Sequence, residues 1–244
     1  MRQMVRKPLP KKSADYLNDK QALVDSGKRT DIENLWKSAR ATKSIGDVLR
    51  TLHTMCGPRE RCMYCLDSHG CDIEHFRPKA AYPRHAFQWS NLLLCCTECG
   101  RFKGDRFPID DHGQALLIDP TNENPWDHLD FDPTTGNLVA RFDLIADDWS
   151  IKGTQTVEAL QLDRREALRV VYQTTFRRLA RILRDALDHP ADWPVDTLCK
   201  QLKETDDHGL LPWCFGDIGR TVEPFSDLRL QQPDTWMACE AAFR

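Results

Sequence analysis

Several classes of protein are excluded by what this 244-residue sequence lacks. It has no apolar run of about 18 residues, the length that a helix needs to cross a bilayer, so we expect no membrane association. Its first residues lack the apolar segment of a secretory signal, so we expect a cytoplasmic protein. The formal net charge is −3, which excludes a uniformly basic nucleic-acid coat. Any contact with phosphate must therefore come from local basic patches.

The sequence also lacks a phosphate-binding loop, because no G-x-x-x-x-G-K pattern followed by Ser or Thr occurs in it. Any control by ATP must therefore come from another subunit. Internal repeats and low-complexity segments are absent as well. The chain is long enough for one elaborated domain or two small ones with a buried core.

Cysteine, in contrast, is plentiful, and its spacing favours a metal site over disulfide bonds. The chain has ten cysteines, and a cytoplasmic location would keep their thiols reduced. Two C-x-x-C pairs are formed by Cys62 with Cys65 and by Cys96 with Cys99. Structural zinc takes four tetrahedral nitrogen or sulfur ligands, so two such pairs complete one ligand shell. We predict a structural zinc site at these four residues, although Cys95 could substitute at the cost of the two-residue spacing.

Residues suited to phosphodiester chemistry lie between and beside these pairs. Glu74 offers a hard oxygen ligand for Mg²⁺ or Mn²⁺, and neutral His75 can accept a proton from water near pH 7. Asn91 could hold the His75 ring through one hydrogen bond. Each of these residues alone is more often structural, and only their combination favours a catalytic site. Positive charge near the phosphates would come from Arg77, Lys79, Arg101 and Lys103.

The rest of the chain has a mainly helical pattern with a few short strands. Helices are predicted for residues 13–26, 30–43, 44–56 and 154–187, the last with a break near Asp163. The Thr30-x-x-Glu33 spacing is typical of a capping box. A buried strand is predicted near residues 115–119 and a hairpin across residues 130–142.

Two segments leave alternatives open. The basic residues among positions 1–12 favour a frayed, solvated tail over a phosphate-binding arm. Three tryptophans beyond residue 190 are either core anchors or contacts for a partner protein, namely Trp193, Trp213 and Trp236.

The order of the central motifs resembles the HNH endonuclease family. The matching features are the two C-x-x-C pairs, the acid-His step, Asn91-Leu92 and Lys103-Gly104. Residues 73–79 (Ile-Glu-His-Phe-Arg-Pro-Lys) and 89–94 (Trp-Ser-Asn-Leu-Leu-Leu) more narrowly resemble the retron-associated and Septu-type HNH proteins of bacterial anti-phage defence. This resemblance spans roughly residues 45–185.

The resemblance implies an α+β fold in which a ββα-metal (HNH) core, stapled by the four-cysteine zinc site, is embedded in a mostly helical protein. Three regions are expected: a helical arm at 1–44, the zinc-stapled nuclease core at 45–145, and a helical region at 146–244 that could bind a partner. His75 matches the general base, Glu74 the metal-ligating residue before it, and Asn91 the middle asparagine.

One position departs from the family pattern. The residue after the last zinc cysteine is usually Asn or His and supplies a second ligand to the catalytic metal, whereas here it is Gly100. Three explanations stay open: water or another acid such as Asp105 supplies the ligand, the activity is weakened, or this copy is inactive.

The resemblance therefore predicts a metal-dependent HNH endonuclease that cuts nucleic acid, with DNA favoured and RNA as the variant. It would be the nuclease subunit of an anti-phage system gated by an ABC- or SMC-like ATPase, as a homodimer or in a larger hetero-complex. Its cofactors would be structural Zn²⁺ and catalytic Mg²⁺ or Mn²⁺. The alternatives are a catalytically weakened zinc scaffold in the same complex and, with less support, a zinc-ribbon transcription regulator.

Overall fold

The computed structural model describes residues 1–28, 31–216 and 218–243. The chain forms two compact units. The N-terminal unit comprises residues 3–123, and the C-terminal unit comprises residues 124–244 together with Met1 and Arg2. The three regions predicted from the sequence have other boundaries, and that division stays a prediction.

Helices make up the first part of the N-terminal unit. They are α1 (Lys11–Asp25), α2 (Ile32–Arg40) and α3 (Lys43–Cys56). The carboxylate of Asp31 caps α2 by accepting a hydrogen bond from the Asn34 amide. The predicted capping residue Thr30 lies outside the described residues. The hydroxyl of Thr42 caps α3, which begins one residue before its predicted start.

A short hairpin followed by a helix forms the centre of this unit. The elements are β1 (Asp72–His75), β2 (Leu92–Cys95) and α4 (Thr97–Lys103). The two strands are antiparallel, with Glu74 opposite Leu93 and His75 opposite Leu92. Every residue of β2 is buried, because apolar side chains on both faces of this strand pack against protein. The hairpin and helix bring both cysteine pairs and the Glu74-His75 step into one region.

The C-terminal unit is mainly helical. Its strands are β3 (Leu129–Phe131), β4 (Leu138–Ala140), β5 (Phe142–Asp143) and β6 (Asp148–Trp149), and its helices are α5 (Ile151–Leu160), α6 (Glu166–Asp188), α7 (Val195–Thr205), α8 (Leu211–Cys214), α9 (Phe225–Gln231) and α10 (Pro233–Phe243). The pairing of β3 with β4 confirms the predicted hairpin. Trp213 and Trp236 are 4% and 5% exposed, so these two tryptophans belong to the core of the unit.

Two local predictions were wrong. Residues 115–119 do not form a strand, since Ala115 makes only an isolated bridge with Ile109, although Leu117 and Ile118 are buried. The segment before α1 is not a frayed tail. The Arg6 guanidinium donates hydrogen bonds to the carbonyl groups of Trp89 and Ser90, just before β2, and of Leu92, its first residue.

At the level of fold class, the prediction of a helix-dominated α+β protein with small sheets is confirmed. Three two-stranded antiparallel sheets occur within the described residues. None of the helices in the described ranges combines the length and the apolar character required of a transmembrane span.

Candidate functional site

The four cysteines predicted to bind zinc lie together in the N-terminal unit. All four are buried, and the sulfur atoms of Cys62, Cys65, Cys96 and Cys99 lie within 4.8 Å of one another. The Sγ atoms of Cys65 and Cys96 are 3.9 Å apart. Tetrahedral zinc with bonds of about 2.3 Å to sulfur would separate its ligands by about 3.8 Å. The cluster therefore fits a metal ion such as zinc, and its closed set of four thiol ligands suits a structural role.

Backbone contacts hold the two cysteine turns in place. The Met63 amide donates to the Leu94 carbonyl oxygen at 2.9 Å, which ties the first turn to β2. In the second turn the Cys99 amide donates to the Cys96 sulfur at 3.4 Å. Contact with the Cys62 sulfur, followed by the other cluster sulfurs and burial, raises the pKa of Cys99. A divalent cation would relieve this crowding of thiolates.

Cys95, the alternative ligand, lies outside the four-sulfur cluster. Its thiol donates to the carbonyl oxygen of Cys96 at 3.3 Å. The two-residue spacing therefore identifies the four clustered cysteines correctly.

Glu74 is held by a buried lysine. The Nζ atom of Lys103 lies 3.0 Å from Glu74 Oε1 and donates to the His75 carbonyl oxygen at 2.7 Å. Lys103 is 0% exposed. Burial raises the pKa of Glu74, and the positive charge of Lys103 opposes that rise. Lys103 was predicted to contact phosphate, but its buried ammonium group is instead an internal partner of the carboxylate.

The ring of His75 is buried and fixed in orientation. Its Nε2 atom is 3.0 Å from the Ala86 carbonyl oxygen. Because a carbonyl only accepts, Nε2 carries the proton and Nδ1 keeps a free lone pair. The edge-on ring of Trp36 lies 4.3 Å away between centroids. Burial, followed by the charge of Lys79, lowers the pKa of His75 to about 3, so the ring is neutral near pH 7.

The predicted hydrogen bond from Asn91 to the His75 ring does not form. The side-chain amide of Asn91 donates to the carbonyl groups of Arg77 and His85, and its oxygen accepts from the Arg77 amide at 2.7 Å. These bonds close the segment from Arg77 to His85, which ends next to Ala86, and the Ala86 carbonyl orients His75. Asn91 therefore positions the ring indirectly, through the backbone that contacts it.

A cavity of about 640 Å³ in the N-terminal unit brings these groups together. Glu74 and His75 line it with Gly100, Arg101 and Asp105. Among the predicted phosphate contacts, Lys79 and Arg101 lie at this cavity, and Lys79 pairs with Glu33 at 3.1 Å. Arg77 instead places its guanidinium over the rings of Phe107 and Tyr82.

Helix α2 supplies cavity residues that sequence reasoning did not single out. Trp36, Lys37 and Arg40 line the cavity from this helix, and Arg40 forms an ion pair with Asp72 on β1. The available signal was the strong amphipathic pattern of α2 with Trp36 on its apolar face. That pattern predicts burial but does not identify the histidine against which the tryptophan packs.

Gly100 lies on α4 opposite the Glu74 carboxylate. A Cβ atom built at this position would be 3.6 Å from Glu74 Oε2 and 3.8 Å from the Cys95 sulfur, which are ordinary contact distances. A larger side chain therefore has room to begin there. Across the residues that the structure describes, no set of three His, Cys, Asp or Glu ligand atoms within 4.8 Å includes Glu74, so Asp105 does not complete such a set.

We expect Cys99→Ser to lose the tightly held metal and to loosen the loop that contains it. A structural zinc site contributes its binding free energy to folding, so the variant should unfold at a markedly lower urea concentration. Zinc per chain after extensive dialysis should fall from about one to nearly zero, as measured by atomic spectrometry. Cys71→Ser, which changes an exposed cysteine, should keep its metal. Metal retention by Cys99→Ser would contradict the assignment.

We expect Lys103→Met to lower the free energy of unfolding by about 3 kcal/mol, because it leaves Glu74 as a largely buried carboxylate without its cation. Urea denaturation measures this loss. Adding Glu74→Gln to Lys103→Met should recover part of it, since the unpaired charge is then removed. The matched control is Lys12→Met, at an exposed position on α1, which should change stability by less than about 0.5 kcal/mol. Equal losses for the two lysine variants would contradict the role of the pair.

Comparison with known proteins identifies distant relatives. The sequence matches no protein-family model. Septu protein PtuB of Bacillus thuringiensis is 31% identical over 113 residues, which cover 44% of this chain and 38% of that protein. Septu protein PtuB of Bacillus mycoides (strain KBAB4) is 31% identical over 121 residues, which cover 39% of each. The match spans about two fifths of these relatives' length, and it shows a distant, partial homology of this chain to Septu protein PtuB.

Proposed function

We propose that this chain is a metal-dependent endonuclease of the HNH type, which hydrolyses phosphodiester bonds of nucleic acid and acts preferentially on DNA. One observation carries the proposal. Glu74 and His75 line a single cavity between a two-stranded hairpin and the helix that follows it, next to a buried cluster of four cysteines. The order β1, β2, α4 supports the proposal because the HNH resemblance implies two strands and a helix around a catalytic metal.

His75 has the properties of a general base. Its Nε2–H donates to the Ala86 carbonyl oxygen, so Nδ1 is the ring atom that can accept a proton from water. The lowered pKa leaves Nδ1 unprotonated near pH 7, and it also makes the ring a weaker base than an exposed histidine. Asn91 and Trp36 support this orientation, the first through the backbone and the second by packing against the ring.

Glu74 would hold the catalytic Mg²⁺ or Mn²⁺. A carboxylate oxygen suits these hard cations, and Mg²⁺ commonly keeps several waters beside one or two protein ligands. Oε1 is engaged by Lys103, whereas Oε2 faces the space beside Gly100. When bound, the ion would supply positive charge to the scissile phosphate and its leaving oxygen. Lys79 and Arg101, at the same cavity, would add positive charge to bind the phosphate backbone.

We also propose a role in anti-phage defence. The partial homology to Septu protein PtuB and the string from Ile73 to Lys79 support this setting. Control by an ABC- or SMC-like ATPase fits a chain without a phosphate-binding loop of its own.

Gly100 favours a second candidate function, that of a weakened zinc scaffold in the same complex. Because glycine has no side chain, position 100 supplies no amide or imidazole to share the metal with Glu74. The scaffold would bind the ATPase and nucleic acid without cutting. Cleavage assays on His75 and Gly100 variants separate the two candidates.

We expect His75→Ala to reduce cleavage at least about 100-fold, because the water loses its proton acceptor. Plasmid, single-stranded DNA and RNA should be tested with Mg²⁺ and Mn²⁺, both alone and with any ATPase that co-purifies with the protein. His112→Ala, which removes an exposed histidine, should leave activity unchanged. The enzyme proposal fails if parent and His75→Ala behave alike on every substrate. If the parent cleaves only RNA, then RNA and not DNA is the substrate.

We expect Gly100→Asn to restore or raise cleavage. The Cβ atom of the new side chain would lie 3.6 Å from Glu74 Oε2, so its amide group could share the metal. Cleavage rate as a function of Mg²⁺ concentration is the measurement, and half-maximal activity should need less metal than in the parent. Gly100→Ala is the matched control, since it fills the same space without adding a ligand. An unchanged metal requirement in Gly100→Asn would mean that the ion is held in another way.

A further inference from the structure

We infer that His53, Glu60 and His69 form a second metal site, which binds a divalent transition metal such as Zn²⁺ and leaves one coordination position open. The three residues lie in the N-terminal unit and differ from the four clustered cysteines in ligand type. One ligand atom from each lies within 4.8 Å of the others.

The spacing of the ligand atoms fits a metal better than a direct hydrogen bond. His53 Nδ1 and Glu60 Oε1 are 3.6 Å apart, which is too long for a hydrogen bond. Tetrahedral zinc with bonds of about 2.0 Å would separate two such ligands by about 3.3 Å. The rings of His53 and His69 have their centroids 5.6 Å apart, so the second imidazole borders the same space.

The hydrogen bonding of His53 prepares it to bind a metal. Its Nε2 atom lies 2.9 Å from the Gly70 carbonyl oxygen, so Nε2 carries the proton and Nδ1 presents its lone pair on the side of Glu60. Metal-binding histidines commonly donate their second ring N–H to a carbonyl or carboxylate, which fixes both tautomer and orientation. His53 already has this arrangement, and its side chain is only 17% exposed.

The backbone brings the three ligands to one place. His53 is on the last turns of α3, and Glu60 and His69 flank the turn that contains Cys62 and Cys65. A bridge between Arg61 and His69 and a hydrogen bond from the Gly70 amide to the Glu60 carbonyl oxygen at 2.8 Å join the two arms. Glu60 has a φ of +48°, a left-handed conformation that residues other than glycine seldom adopt.

The ligand types select the metal. Two imidazoles and one carboxylate suit zinc and its neighbours among the transition metals, whereas Mg²⁺ and Ca²⁺ prefer oxygen ligands throughout. Three protein ligands leave a fourth position for water or another ligand. A cavity of about 440 Å³ is lined in part by His53, Glu60 and Arg50, so two of the three ligands border open space. A metal bound here would link the end of α3 to both arms of the cysteine turn.

The test uses the 244-residue chain with one tightly held zinc at the four cysteines. Zn²⁺ titrated into it should give a second bound ion per chain by calorimetry and atomic spectrometry, together with a higher melting temperature. His53→Ala, Glu60→Gln and His69→Gln should each bind the second ion at least tenfold more weakly. His112→Ala is the control and should bind it as the parent does.

The absorption spectrum of bound Co²⁺ distinguishes a site without cysteine ligands from a site that contains them. Co²⁺ bound as the second ion should show ligand-field absorption without an added thiolate-to-metal charge-transfer band, because no cysteine takes part. A thiolate band from the second ion would overturn the proposal, and so would a parent protein that binds only one ion at saturating Zn²⁺. Glu60→Gln and His69→Gln alter exposed or partly exposed side chains, so their circular dichroism should match that of the parent. Unchanged affinity in both of these folded variants would likewise overturn the proposal.

Discussion

The geometry of the candidate site depends on one buried ammonium group. Lys103 is removed from solvent, and its charge is satisfied by the Glu74 carboxylate and the His75 carbonyl oxygen. A buried charge without such partners would be strongly unfavourable, so this pair fixes the last turn of α4 against β1. The same helix is capped by Cys96 and contains Cys99. Any metal held by the cysteines therefore anchors one end of the short helix whose other end orients Glu74.

Local spacing in the sequence predicted the cysteine cluster and the adjacent Glu74 and His75. A C-x-x-C turn places its two thiols on the same side within a few residues, so little long-range information is needed to recognise it. The β3–β4 hairpin was predictable for the same reason, because a turn segment rich in Pro, Thr and Gly separates two short apolar runs. At the level of class, these local signals were enough for an α+β fold dominated by helices.

Errors arose where a side chain's role depends on distant parts of the chain. Lys103 and Arg6 have charged side chains of the kind that bind phosphate or remain in solvent. Each nevertheless contacts backbone carbonyls many residues away. Asn91 lies near His75 as predicted, but it does not bond to the His75 ring. It bonds to the backbone of Arg77 and His85 and so closes the segment between them. Sequence shows that a residue is charged or polar, but burial and the choice of partner are set by tertiary packing. Trp36 is a further case, because its periodicity predicts a core position without identifying His75 as its neighbour.

The Lys103 charge also bears on how a catalytic metal would bind. A cation 3.0 Å from Glu74 Oε1 repels a second cation brought to the same carboxylate, and this repulsion is strong where water is largely excluded. Gly100 adds no ligand to offset it. A phosphate group would supply the missing negative charge and oxygen ligands, so metal and nucleic acid should stabilise each other in the cavity. Under the proposed function, the lack of a side-chain ligand at position 100 is therefore compatible with an enzyme that retains its catalytic ion mainly when substrate is present.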